Sequence, residues 1–177
     1  MFVALLRGIN LGKRRRVAMA DLRSLLTEAG YGGVTTHLQS GNVVLATDER
    51  ATGRVERSIE EALQGGLGME IDVMVRTARK LATITASNPF IDRGSDPTTL
   101  YVSFLKSRPA AATKRALAGL DFGRDGFELR DAELYLCYPD GLGRSKMSGA
   151  LDRTLDVPGT VRKWSVVTRL AELAADA

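Results

Sequence analysis

Phe2-Val3-Ala4-Leu5-Leu6-Arg7-Gly8-Ile9-Asn10 opens the chain, and a basic run, Lys13-Arg14-Arg15-Arg16, follows two residues later. Phe2, Ala4 and Leu6 form one face of a strand, Val3 and Leu5 the other, so both faces are apolar. Such a strand is expected in the interior of a sheet, covered on both sides. Its polar exit, with Gly8 at the turn, is where binding groups belong. No acidic residue precedes Asp21, so the positive charge here is locally uncompensated.

Working outward, Leu22, Leu25, Leu26 and Ala29 fall at helical spacing, and Gly30 ends the run. Val34 to Leu38 reads as a strand with Val34, Thr36 and Leu38 on one face. Gln39-Ser40-Gly41-Asn42 supplies a turn, and Val43-Val44-Leu45 returns as the partner strand. Asp48 is the expected cap of a second helix carrying Val55, Ile59, Ala62 and Leu63, stopped by Gly65-Gly66. Ile71 to Val75 alternates as a further strand. The order β-α-β-β-α-β is the ferredoxin-like arrangement.

The second half repeats this pattern without residue-level similarity to the first. Thr77 caps a short helix through Leu81 and Ile84, broken at Ser87-Asn88-Pro89-Phe90. The polar stretch 92–99 is the expected boundary. Leu100 to Leu105 is a strand, and a helix with Ala112, Ala116, Leu117 and Leu120 follows. Phe127 to Leu129 and Leu134 to Tyr138 form a hairpin about Asp131-Ala132. Ser145 opens a helix with Met147, Leu151 and Leu155, and Thr160-Val161-Arg162 offers a short fourth strand before the last helix. The expected class is α+β: a ferredoxin-like (βαββαβ) subdomain over 1–77, a connector over 78–98 and a second, C-terminally irregular one over 99–177.

At 177 residues, 44% hydrophobic and 26% charged, the chain has the composition of a soluble globular protein. Its net charge of +4 is compatible with an anionic partner. Cys137 is the single cysteine and His37 the single histidine, which excludes an internal disulfide and a cysteine or histidine zinc cluster. No metal and no cofactor are expected. Arg7 interrupts the N-terminal apolar run, and the charge follows that run instead of preceding it, which is the wrong order for a signal peptide. No stretch approaches the roughly 18 apolar residues of a membrane span. A cytoplasmic location is expected, with no membrane partner. A homodimer is compatible with the sequence.

There is no nucleophile elbow, Walker loop or dinucleotide fingerprint. Two polar constellations remain: Arg7, Asn10, Gln39, Ser40 and Asn42, which join the exit of the first strand to the following turn, and Lys146, Thr160, Arg162 and Trp164 near the C-terminus. Arginine offers a planar fork for carboxylate or phosphate, and the neutral amides and hydroxyls supply donors around it.

Ala4 to Asn10, then Val17 to Leu22 with Met19, then Leu38-Gln39-Ser40-Gly41-Asn42-Val43 resemble the domain-of-unknown-function family numbered 1697. Asn88-Pro89-Phe90, Ser145-Lys146 and Thr160-x-Arg162-x-Trp164 match it too. The resemblance implies a bacterial protein of two ferredoxin-like halves with no agreed activity. Where the family pattern reads Arg-Asn-Trp-Asn-Thr, this chain has Arg162-Lys163-Trp164-Ser165-Val166, and its 13–16 loop is more basic than usual.

Three function classes follow. The first is a non-catalytic binding protein for a small anionic ligand, using Arg7, Asn10, Gln39, Ser40, Asn42, Lys146, Arg162 and Trp164. The second is an acid-base enzyme or transferase in the same cleft, with Asp21 and Lys146 as its available groups. The third is nucleic-acid binding through Lys13, Arg14, Arg15 and Arg16, less favoured because its sheet lacks an aromatic pair.

Overall fold

The computed structural model of the protein describes residues 1–12 and 15–176. Lys13 and Arg14, two cations of the basic loop, lie outside the described residues. The chain divides into two compact units, one of Met1–Thr85 with the C-terminal stretch from Thr168, the other of Ala86–Val167.

The first unit runs β1 (Phe2–Leu6), α1 (Met19–Glu28), β2 (Gly32–His37), β3 (Asn42–Ala46), α2 (Thr52–Leu67), β4 (Val73–Thr77) and α3 (Ala78–Ala86). Its antiparallel sheet has the order β2-β3-β1-β4. β1 is interior as its two apolar faces require, pairing Phe2 with Leu45 on one side and Thr77 on the other. Phe2, Ala4 and Leu6 pack with Leu22 and Leu26 of α1 and with Val55, Ile59 and Leu63 of α2. Each such leucine or isoleucine contributes about 1.5–3 kcal/mol by leaving water. Val3, Leu5, Val44 and Met74, on the opposite face, are buried as well.

Several boundaries differ from the sequence reading. β2 ends at His37, and Leu38 turns out at φ 58° with 56% of its surface exposed. Asn42 is the first residue of β3 instead of the last of the turn. α2 has no side-chain cap from Asp48; Glu49 Oε1 accepts from the amides of Arg50 and Ala51 just ahead of it. Gly65-Gly66 does not stop α2, which continues to Leu67 and ends at Gly68 with φ 64°. Gly66 is there for packing: a Cβ on it would collide with Leu25 of α1. β4 starts two residues later than the alternation suggests, because pairing of Leu6 with Val73 sets its register. Thr77 does cap α3, its Oγ1 accepting from Lys80 N at 3.0 Å.

The second unit contains α4 (Pro89–Asp92), β5 (Leu100–Leu105), α5 (Ala111–Ala118), β6 (Gly126–Arg130), β7 (Glu133–Cys137), α6 (Met147–Thr154) and β8 (Gly159–Lys163); α7 (Trp164–Ala175) starts in it. Its sheet order, β6-β7-β5-β8, repeats that of the first. Asn88 caps α4, accepting from Phe90 N at 3.0 Å, and Leu117, Leu134, Leu136, Tyr138, Met147 and Leu151 form a core. The fold is therefore α+β, with two four-stranded antiparallel sheets of the ferredoxin-like kind among the described residues. None of the described helices is long and apolar enough to cross a membrane.

The two sheets share one detail of register. Arg76 of β4 lies opposite Val3 of β1, and Arg162 of β8 lies opposite Val102 of β5. Both arginines are buried, at 8% and 7% exposure. Each donates from Nη1 to the carbonyl of the residue before it, Val75 or Val161, at 2.9 Å.

Candidate functional site

The loop leaving β1 is shaped by positive backbone φ at Gly8, Asn10, Gly12 and Arg15. Asn10 holds it in place. Its Nδ2 donates to the carbonyls of Val17 at 2.9 Å and Gln39 at 2.7 Å, and its Oδ1 accepts from Val17 N at 2.9 Å. The Asn10 amide itself donates to the Arg15 carbonyl at 3.0 Å. Asparagine tolerates this left-handed backbone better than other side chains. The side chain of Asn10 is thus committed to the loop.

Asn42 is also committed inward. It is fully buried and donates to the His37 carbonyl at 2.8 Å and to Ser40 Oγ at 3.0 Å. Gln39 and Ser40 are exposed on the turn.

Arg7 is anchored to the segment before β4. Its amide donates to the Asp72 carbonyl at 2.9 Å, and its Nη1 reaches Asp72 Oδ2 at 3.2 Å. These two residues line a cleft of about 720 Å³ together with Arg15, Glu60, Glu61, Gln64, Gly65, Glu70 and Ile71. α2 supplies Glu60 to Gly65, and the stretch ahead of β4 supplies Glu70 to Asp72. Arg15 reaches back over the loop, its Nη1 lying 3.9 Å from where a Cβ on Gly8 would stand. The lining of the cleft thus includes the two arginines Arg7 and Arg15.

Among the described residues four carboxylates line the cleft with those two cations, so their charge balance differs from that expected of a simple anion site. Two carboxylates are engaged: Asp72 by Arg7, and Glu60 by Val73 N at 2.8 Å. Glu61 and Glu70 are exposed. Sequence reading missed all four. They look like solvated helix and loop charges, and nothing in local spacing ties Asp72 to Arg7 across 65 positions.

The second constellation belongs to the other unit. Arg162 donates to Thr160 Oγ1 at 2.7 Å as well as to the Val161 carbonyl, and burial pushes its guanidinium pKa down to about 10, so it stays charged at neutral pH. Trp164 is buried and Lys146 exposed at the start of α6. Arg16 and Asp21 are exposed, Asp21 in the first turn of α1. Cys137 is free and buried. Among the described residues no group of three or more histidine, cysteine or carboxylate side chains is placed to hold a metal ion.

The architecture is that of a tandem ferredoxin-like α+β protein with a charged cleft at the exit of its first strand. By sequence the chain belongs to the family described as Protein of unknown function (DUF1697), whose profile matches residues 1–135. Ser145-Lys146 and Thr160-x-Arg162-x-Trp164 lie beyond the matched stretch. A solved structure of a conserved bacterial protein from Streptococcus pneumoniae is similar at a TM-score of 0.72 and 17% identity, over 98% of this chain and 97% of that one. That likeness establishes the fold. No curated protein matches the chain in sequence.

Proposed function

We propose that this is a non-catalytic binding protein for a small polar ligand, held in the cleft at the exit of β1 with its anionic group against Arg7 and Arg15. The observation that carries this reading is the cleft of about 720 Å³ itself, of a size suited to a small metabolite and lined by α2 and by the segments at the exit of β1 and ahead of β4. Arg7 is held by its pair with Asp72, so its fork is oriented before a ligand arrives. The lone buried thiol of Cys137 fits a reducing, cytoplasmic setting.

A thermal-shift screen of nucleotides, phosphosugars and carboxylates tests it. A true ligand at 100 times its Kd stabilises by about 2.7 kcal/mol, and the rise in Tm should vanish in Arg7→Ala. A ligand whose shift is unchanged in Arg7→Ala binds elsewhere, and the reading falls.

Exposed Arg15 and Arg16 favour nucleic acid as the competing occupant of this end of the sheet. That alternative requires a log–log salt slope of roughly −0.7 per phosphate contact for single strands, and binding that weakens in Arg15→Ala and Arg16→Ala.

A further inference from the structure

The cleft carries side chains of both charges, and its carboxylates point to the chemistry of the ligand. Arg7 and Arg15 line it. Glu61 and Glu70 line it as well; both are exposed, and no partner for either is found among the described residues. Asp72 and Glu60 are already engaged, so among the described residues the carboxylates left for a ligand are these two.

The backbone adds to the negative charge. α2 is a 16-residue helix whose last turn carries no basic residue, and Gln64 and Gly65 of that end line the cleft. The carbonyl end of a helix carries partial negative charge and favours a cation. A plain anion entering the cleft would meet two free carboxylates and this helix end. A plain cation would meet two guanidinium groups.

We infer that the ligand is a small molecule bearing both an anionic group and a separate ammonium group, the first on Arg7 and Arg15, the second on Glu61 and Glu70 near the C-terminal end of α2. This rests on the cleft being the binding site, and it adds the charge pattern of what binds there. Amino acids extended at the side chain, and amino-alkyl carboxylates or phosphates generally, have this pattern.

The test uses three probes of one chain length: ε-aminocaproate, caproate and n-hexylammonium. Binding is followed by chemical-shift perturbation of the cleft amides in the full chain at millimolar probe. ε-Aminocaproate should bind at least about 10-fold tighter than either single-charge probe. The Glu61→Gln/Glu70→Gln variant, altered only at exposed positions, should weaken ε-aminocaproate about 3- to 10-fold, as the loss of two partly exposed ion pairs predicts, and leave caproate unchanged or tighter. Caproate binding as tightly as ε-aminocaproate, or a double variant that leaves ε-aminocaproate unaffected, overturns the inference while the cleft remains a binding site. Probes that shift no cleft amide remove both.

Discussion

Asn10 donates to the carbonyl of Gln39, 29 positions along the chain, at 2.7 Å. That bond joins the loop after β1 to the turn between β2 and β3, and the same side chain closes the loop on Val17 in both directions. Replacing Asn10 by Ala removes three hydrogen bonds, each contributing about 0.5–1.5 kcal/mol, and places alanine at φ 55°. Chemical denaturation should show a loss of about 2–4 kcal/mol. Asn10→Gly, free of the backbone strain, should lose about 1 kcal/mol less. A loss equal in the two variants would mean that the backbone there is relaxed.

The glycine pair in α2 separates propensity from packing. Gly65 has nothing within 4 Å of an added Cβ, so Gly65→Ala should stabilise by about 0.5–1 kcal/mol through helix propensity alone. Gly66→Ala meets Leu25 and should destabilise by about 1–3 kcal/mol. Thermal melts of the two variants should move in opposite directions.

Edge strand β4 is protected by carboxylates from α2. Glu56 Oε1 accepts from Val75 N, and Glu60 Oε1 from Val73 N, both at 2.8 Å. Such pairs satisfy amides that would otherwise invite another strand. Glu56→Ala leaves a buried amide without that acceptor and should cost about 1–3 kcal/mol. The double variant Glu56→Ala/Glu60→Ala should in addition self-associate on concentration, measured by light scattering. A double variant that associates no more than the wild type would show that the edge needs no such guard.

Glu128 in the second unit sets an acid limb. Burial alone would raise its carboxyl pKa, but hydrogen bonds from Arg130 and Arg93, at 2.8 and 2.6 Å, prevail and hold it below the usual 4.5. A depressed carboxylate contributes stability above its unfolded pKa and loses it as pH falls through the folded one. Stability of the wild type should therefore drop below about pH 4.5, and Glu128→Gln should show a shallower drop over the same window. Identical pH profiles would remove Glu128 from the acid response.

What the sequence made legible was set by residues whose role is local or periodic. β1 was readable because five consecutive apolar residues leave no solvent face, and the Thr77 cap because a threonine preceded a helical pattern. The end of α2 was not, since glycine as a stop and glycine as a packing gap look alike until Leu25 of another helix is seen beside it. The same holds for β4, whose first residue is decided by pairing with Leu6. Of the cleft, Arg7 was legible as a charge at a strand exit. Glu60, Glu61, Glu70 and Asp72 were not, because only the packing of α2 along β4 brings them into one cleft with Arg7.

Arg76 and Arg162 have a consequence for ancestry. Each is the penultimate residue of its sheet's fourth strand, preceded by valine, with a helix starting two positions later. The halves show no residue-level similarity overall, yet the arginine of this valine–arginine step keeps one register, one burial and one backbone bond in both. If the halves descend from a single duplicated copy, this is the inherited mark to seek in free-standing single-copy relatives. The search should then be made by strand register, since the two halves share no residue-level similarity to search with.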